Sequence, residues 1–439
     1  MIKRFIVICI TIISSSVFAQ QGTGSPYSFY GIGSLKFKGT VENRSMGGMS
    51  VYLDSIHLNL SNPASYAGKN LESSNYRGES RPIKFSVAGT TSTSTLKSAS
   101  EKGNASSTIF DYIALSVPVG KFGFGFGLMP YTAVGYKLDD INNEALLVNR
   151  FNGEGGINRV FTGIGYQIND KLSVGLDVNY NFGNIQNTAI EVAYTDEGDI
   201  VQYQTRQFNR SDLNGLNFNF GVAYKTMITN KLELSATATF TPESRLNSDN
   251  VRSFSTVTLD TDYEVIGVSN TIDSDLEAQG RDKTKLTLPS KFTFGVGIGQ
   301  PKSWFVGTEY TFQSTSDFSN PIFPVNSATY ENSSEISLGG FYIPKYNAFS
   351  GYFNRVVYRA GLKYENTGMV IKREPINEFG ISFGLGLPVG SRNLFSNANF
   401  GFEIGRRGTR EKNLILENFV NFNVSLSLNS RWFEQKKYY

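Results

Sequence analysis

The chain holds a single histidine, His57, and a single cysteine, Cys9, and this scarcity decides most of the chemistry open to it. A hydrolytic histidine needs a nucleophile and an orienting group beside it. His57 stands between Ile56 and Leu58 and reads as a packed or solvated side chain instead. A zinc site needs a cluster of Cys or His, which the sequence lacks. The paired acids Asp139 and Asp140 have no supporting constellation and read as loop solvation. "GEGG" at residues 153–156 lacks the lysine of a phosphate loop and falls in an expected outer loop. No catalytic centre, metal or cofactor is expected.

Three other stretches carry residues suited to backbone work. "NRSMGG" (residues 43–48) supplies Arg44 with Gly47 and Gly48, and "NPASYA" (residues 62–67) supplies Asn62, Pro63 and Ala64. The glycines permit close backbone approach and the proline stiffens a turn; a gating role is the alternative reading. The third stretch, "FGFGFGLMPYTAVGY" (residues 122–136), alternates like a strand until Pro130, which cannot donate to a sheet ladder and forces an unpaired position.

The elements that must position these residues are strands. In residues 172–182, Leu172, Val174, Leu176, Val178, Tyr180 and Phe182 alternate with Ser173, Gly175, Asp177, Asn179 and Asn181, a period of two. The same pattern returns around Phe218, Leu234, Phe294, Tyr358, Phe402 and Phe422. These runs approach the roughly 9 to 11 residues that a tilted strand needs to cross a bilayer. Short turns are expected at residues 119–120, 169–170, 229–230, 300–302, 366–368 and 390–391. They alternate with long connections, notably residues 242–283 and 314–350. Short turns on one rim and long loops on the other indicate a transmembrane antiparallel β-barrel of about 14 strands, all-β in class, with the short side periplasmic.

The ends fit that reading. Lys3 and Arg4, an apolar run and Val17-Phe18-Ala19 form a secretory signal peptide at residues 1–19, too short to span a bilayer as a helix. Cleavage there removes Cys9 and leaves a chain without disulfides. Without Lys3 and Arg4, the 41 basic residues fall to 39 against 38 acidic, a balance that offers no surface for nucleic acid. Residues 20–81 alternate only weakly and read as a plug segment in the lumen. The barrel occupies residues 82–433, and residues 434–439 are a short tail. The last strand, "FVNFNVSLSLNSRWF", resembles the signal read by outer-membrane insertion machinery.

"NRSMGG", "NPASYA" and the strand opening "TLPSKFTFGVG" (residues 287–297) resemble the FadL family of outer-membrane transporters for long-chain fatty acids and other hydrophobic compounds. The ending "YENTGMVIKREPINEFGISFGLGLPVG" looks like FadL-type barrels of the Bacteroidetes. That resemblance implies an outer-membrane location, a plugged lumen and a kinked third strand. Counting from residue 83, the strand that holds Pro130 is the third. A lateral opening at Met129, Pro130 and Tyr131 would then release a hydrophobic ligand such as a fatty acid sideways into outer-membrane lipid. The plain alternative is that Pro130 only ends its strand at the rim. The resemblance also implies a second role, since some such relatives serve as noncatalytic partners of another outer-membrane protein in secretion or barrel-assembly complexes.

Overall fold

The computed structural model describes residues 22–53, 56–67, 83–99, 101–142, 146–320, 328–389 and 396–430. The expected signal peptide, the tail and the expected turn at residues 390–391 lie outside the described residues. The elements that precede the wall include the short strand β1 (Ser34–Leu35) and one helical turn, α1 (Val41–Arg44). The wall then runs through β2 (Ile83–Lys97), β3 (Lys102–Val119), β4 (Phe122–Ile141), β5 (Leu147–Gln167), β6 (Leu172–Glu191) and β7 (Gln204–Met227). It continues with β8 (Glu233–Thr241), β9 (Ser244–Leu259), β10 (Val265–Asp273), β11 (Lys283–Leu288), β12 (Lys291–Gln300) and β13 (Trp304–Gln313). The last members are β14 (Ala328–Tyr330), β15 (Ser333–Tyr342), β16 (Val357–Ile371), β17 (Glu374–Val389), β18 (Ser396–Arg407) and β19 (Leu416–Ser430).

Three sets of these act as single wall segments: β8 with β9, β10 and β11 with β12, and β14 with β15. The wall therefore has 14 segments. Neighbours are antiparallel throughout, and β19 closes on β2 from Leu416↔Lys97 to Ser430↔Ile83. Closure spares most of the wall an unpaired edge for lipid to meet.

The period of two sorts the side chains. Phe292, Phe294, Val296 and Ile298 of β12 are exposed on the outside, as are Phe402, Ile404, Val420 and Phe422 further round. The opposite face is polar and buried, with Asn179, Asn181, Asn217, Asn399 and Asn423 pointing inward. Apolar outside and polar inside is the inverse of a soluble sandwich and suits a bilayer. No helix among the described residues is long and apolar enough to cross a membrane.

Several sequence expectations need correction. The connection expected at residues 314–350 contains a wall strand, β15, whose "SSEISLGGFY" offers only Ile336 and Leu338 as outward aliphatics before two glycines. Most of residues 242–283 is also strand, because β9 and β10 carry the wall upward. Asn366-Thr367-Gly368 is a bulge inside β16, where the register with β17 slips between Asn366 and Val370. The true turn there is Lys372-Arg373, both at positive φ, and it lies on the opposite rim. Asp139 and Asp140 belong to β4, where Asp139 accepts two hydrogen bonds of 2.8 Å from Arg150. "GEGG" is part of β5, not an outer loop.

Candidate functional site

The wall parts beside Pro130. β3 and β4 pair only from Val119↔Phe122 to Ile113↔Leu128. Beyond that point β3 stays with β2 and β4 stays with β5. Pro130 is the second residue past the last pair, where its missing N–H breaks no ladder bond with β3. β4 continues to Ile141, so Pro130 does not end its strand. The register with β5 slips between Pro130 and Thr132, a bulge that leaves Tyr131 opposite no residue. The bend crosses into β5, because a Cβ on Gly156, at φ +145°, would collide with the Thr132 carbonyl. Gly156 of "GEGG" thus serves the bend. β3 has its own bulge at the parting, where Ala88↔Tyr112 is followed by Gly89↔Phe110 and Asp111 is skipped.

The chain's own N-terminal segment fills the gap. β1 adds to the freed edge of β4 through Ser34↔Ala133 and Leu35↔Thr132, and the Lys36 N–H donates to the Tyr131 carbonyl at 2.9 Å. The Ser28 hydroxyl lies 3.2 Å from the Gly135 N–H and 3.3 Å from its carbonyl. Earlier residues run between the parted strands. A Cβ on Gly24 would sit 2.6 Å from Ala105 of β3, and one on Gly22 would sit 2.8 Å from Ala133 of β4. Behind the gap, Phe29 and Ile32 pack among Val134, Tyr136, Ile157 and Ile185, so the segment's own side chains fill an apolar chamber. Met129 is buried in the neighbouring cluster with Tyr66, Tyr112 and Phe161. The Tyr131 ring lies 3.8 Å beneath the Arg159 guanidinium.

The two sequence motifs sit deeper in the lumen. Thr40 caps α1 in a reciprocal box with Asn43, which orients the turn. Arg44 then reaches Asp111 on β3 at 3.4 Å and Glu403 on β18 at 3.5 Å. Gly47, at φ +74°, donates its N–H to the Ser382 hydroxyl at 2.9 Å and accepts from the Ser337 hydroxyl at 2.8 Å. A Cβ there would stand 2.6 Å from the Leu362 carbonyl. Gly48 has more room, its nearest neighbour being Glu335 at 3.7 Å. Asn62 accepts from the Ala64 N–H at 3.0 Å and donates to the Val222 carbonyl at 3.1 Å, starting a short 3-10 turn with Pro63 and Ala64.

What sequence reasoning missed is the floor under both motifs. Gly123, Gly165, Gly175 and Gly221 lie in register across β4, β5, β6 and β7. They carry the turn at residues 62–67, and a Cβ on Gly165 would lie 2.7 Å from the Ala67 nitrogen. Gly297, Gly307, Gly339 and Gly361 form a second row across β12, β13, β15 and β16. They carry Met46 to Met49, and a Cβ on Gly361 would lie 2.8 Å from the Met46 Cα. The available signal was glycine recurring on the inward face of adjacent strands, which fits close backbone approach.

The remaining interior is polar. Glu378 gathers Lys38 at 2.7 Å, Lys363 at 2.6 Å and Arg407. Ser50 donates its N–H and hydroxyl to Glu309 at 2.9 and 2.8 Å. A cavity of about 190 Å³ lies between Lys38, Asp177, Lys291, Glu309, Glu335 and Lys363. Burial, reinforced by the nearby Arg407 and Lys38 charges, pulls the Lys36 ammonium down to about 7. Burial pushes the Tyr66 phenol up. The His57 backbone carbonyl accepts from Lys84 at 2.9 Å. No cluster of three metal-ligating side chains occurs among the described residues.

The sequence profile of the BamG family matches residues 1–439. The chain belongs to the BamG family. No curated protein matches it by sequence. Among solved structures, the toluene transporter TodX of Pseudomonas putida aligns with TM-score 0.56 at 16% identity, covering 91% of this chain and 99% of that one. The monoaromatic hydrocarbon channel CymD gives 0.55 at 13%, covering 90% and 98%. A Pseudomonas aeruginosa FadL homologue gives 0.54 at 11%, covering 90% and 99%. The FadL-type barrel expected from the sequence is therefore the fold observed. The chain thus combines BamG-family membership with the fold of these solved structures.

Proposed function

We propose that this chain is a noncatalytic, non-conducting barrel of a Gram-negative outer membrane that serves as a subunit beside another outer-membrane protein. The resemblance read from the sequence implies such a role for some Bacteroidetes relatives, in secretion or barrel-assembly complexes. One observation carries the reading: the gap beside Pro130 is occupied by residues 22–36, of which Ser34 and Leu35 add to β4 as a strand. The filled apolar chamber, the glycine floors and the charged interior support it. In this reading a signal peptide at residues 1–19 directs export, and the last strand engages the insertion machinery. Arg44, Gly47, Gly48, Asn62, Pro63 and Ala64 hold a fixed plug.

A second reading has its own support, the parted strands together with the hydrocarbon-channel neighbours. In it, residues 22–36 withdraw and a hydrophobic molecule leaves past Met129, Pro130 and Tyr131 into lipid. A disulfide between Ser34→Cys and Ala133→Cys separates the two, since facing residues on antiparallel strands lie within disulfide reach. Locking the segment leaves a subunit's function intact. Loss of function on oxidation, restored by reductant, would support the channel instead.

A further inference from the structure

One connection on the short-turn rim stands apart. The described turns there span residues 120–121, 168–171, 228–232 and 301–303, whereas β15 and β16 are joined by residues 343–356. This loop has its own construction. The Ile343 N–H donates to Ser303 at 2.6 Å, Lys345 to Asn354 at 2.8 Å and Ala348 back to Lys345 at 3.1 Å. Val356 and Ala348 are buried inside it. Yet Phe349 is 86% and Phe353 74% exposed, more than any wall aromatic. An ordered loop that keeps two phenylalanines this exposed presents an apolar surface to its surroundings.

The loop's position points to what covers them. On β16 the lumen side belongs to Arg359, whose guanidinium reaches Asn399 at 3.2 Å, so Tyr358 faces outward. The Tyr358 hydroxyl donates to the Phe353 carbonyl at 3.3 Å, which fixes that part of the loop against the outer, lipid-facing side. Tyr358 is paired with Tyr342, and Tyr342 with Trp304. This aromatic row is of the kind that marks the level where a barrel meets headgroups. Cations accompany it. Arg355 lies 5.6 Å from the Tyr352 ring and Lys302 lies 5.7 Å from the Tyr346 ring. Lys345 is exposed, and residues 343–356 contain no acid.

We propose that loop 343–356 is an interfacial anchor for anionic phospholipid, with Phe349 and Phe353 at the acyl boundary and Lys345 and Arg355 on the headgroup phosphate. Aromatic tips with flanking cations bind a negatively charged leaflet in this way. The anchor requires only that the barrel lie in a bilayer. It stands whether or not the lumen conducts.

The test uses the full-length chain with Cys9→Ala, reconstituted in phosphatidylglycerol vesicles that carry chain-brominated lipid. A small fluorophore is placed on Phe353→Cys and, separately, on Phe349→Cys. Quenching at least half that of a label on Phe402→Cys is expected at both sites. Absence of quenching at both would overturn the anchor and leave the loop as a surface for a soluble partner. Native mass spectrometry in mixed detergent then compares retention of phosphatidylglycerol and phosphatidylcholine. A several-fold preference for the anionic lipid, lost in Lys345→Gln/Arg355→Gln, is expected. Equal retention of the two lipids by the unaltered protein would overturn the headgroup assignment.

Discussion

The N–H of Lys36 and the carbonyl of Tyr131 meet at 2.9 Å, so the first bulged residue past Pro130 finds its partner in the luminal segment and not in β3. This bond is the point where the missing strand contact is replaced. Lys36→Pro removes the donor and costs about 1 kcal/mol in a net hydrogen bond, more if the carbonyl stays unsatisfied. A probe on Leu35→Cys should become several-fold more reactive in this variant, while the barrel keeps its heat-modifiable gel mobility.

Gly47 and the glycine floors beneath the two motifs should tolerate no Cβ. Gly47→Ala meets both a positive φ and the Leu362 carbonyl 2.6 Å away, and should destabilise by about 1–3 kcal/mol. Gly175→Ala and Gly361→Ala should act alike through backbone collision. Gly380→Ala, whose Cβ would find its nearest neighbour at 3.5 Å, is the control. Urea midpoints of the refolded proteins would rank the four.

Arg44 is buried between Asp111 and Glu403. Arg44→Met leaves two carboxylates without their cation, and breaking a buried pair from one side costs about 3–5 kcal/mol. Adding Asp111→Asn should recover part of the loss. If the double variant is no more stable than the single, the ion pair is not what holds α1 in place.

Seating of the luminal segment should depend on pH through Lys36. Its folded value of about 7 lies below its ordinary 10.5. Between those values the released segment binds a proton that the seated one does not. Seating therefore strengthens as pH rises through that window and is flat below it. The urea needed to free a Leu35→Cys probe should rise from pH 7 to 9.5 in the parent and stay level in Lys36→Met. An equal rise in both would assign the effect to another group.

Much of the barrel was legible because strand period and bilayer width act on every wall strand alike. Leu172 to Phe182 announces β6 and its outward face without help. β15 was hidden because glycines occupy the positions where apolar side chains would have shown the alternation. Asn366-Thr367-Gly368 has turn composition, but tertiary pairing absorbed it as a bulge. Pro130 was informative since a missing donor has to be accommodated somewhere. The sequence could not say that Ser34 and Leu35 would supply the replacement strand, because that depends on the bend of β4. The glycine rows were present as letters; their meaning came only with the registers that align Gly123 with Gly165, Gly175 and Gly221.

The most direct measurement is gentle detergent extraction of the tagged native protein, followed by mass spectrometry of every lipid and protein that accompanies it. The subunit reading predicts a stoichiometric outer-membrane partner and no hydrophobic guest in the lumen. A lone barrel that carries a fatty acid or hydrocarbon would contradict it and make the gap beside Pro130 an exit.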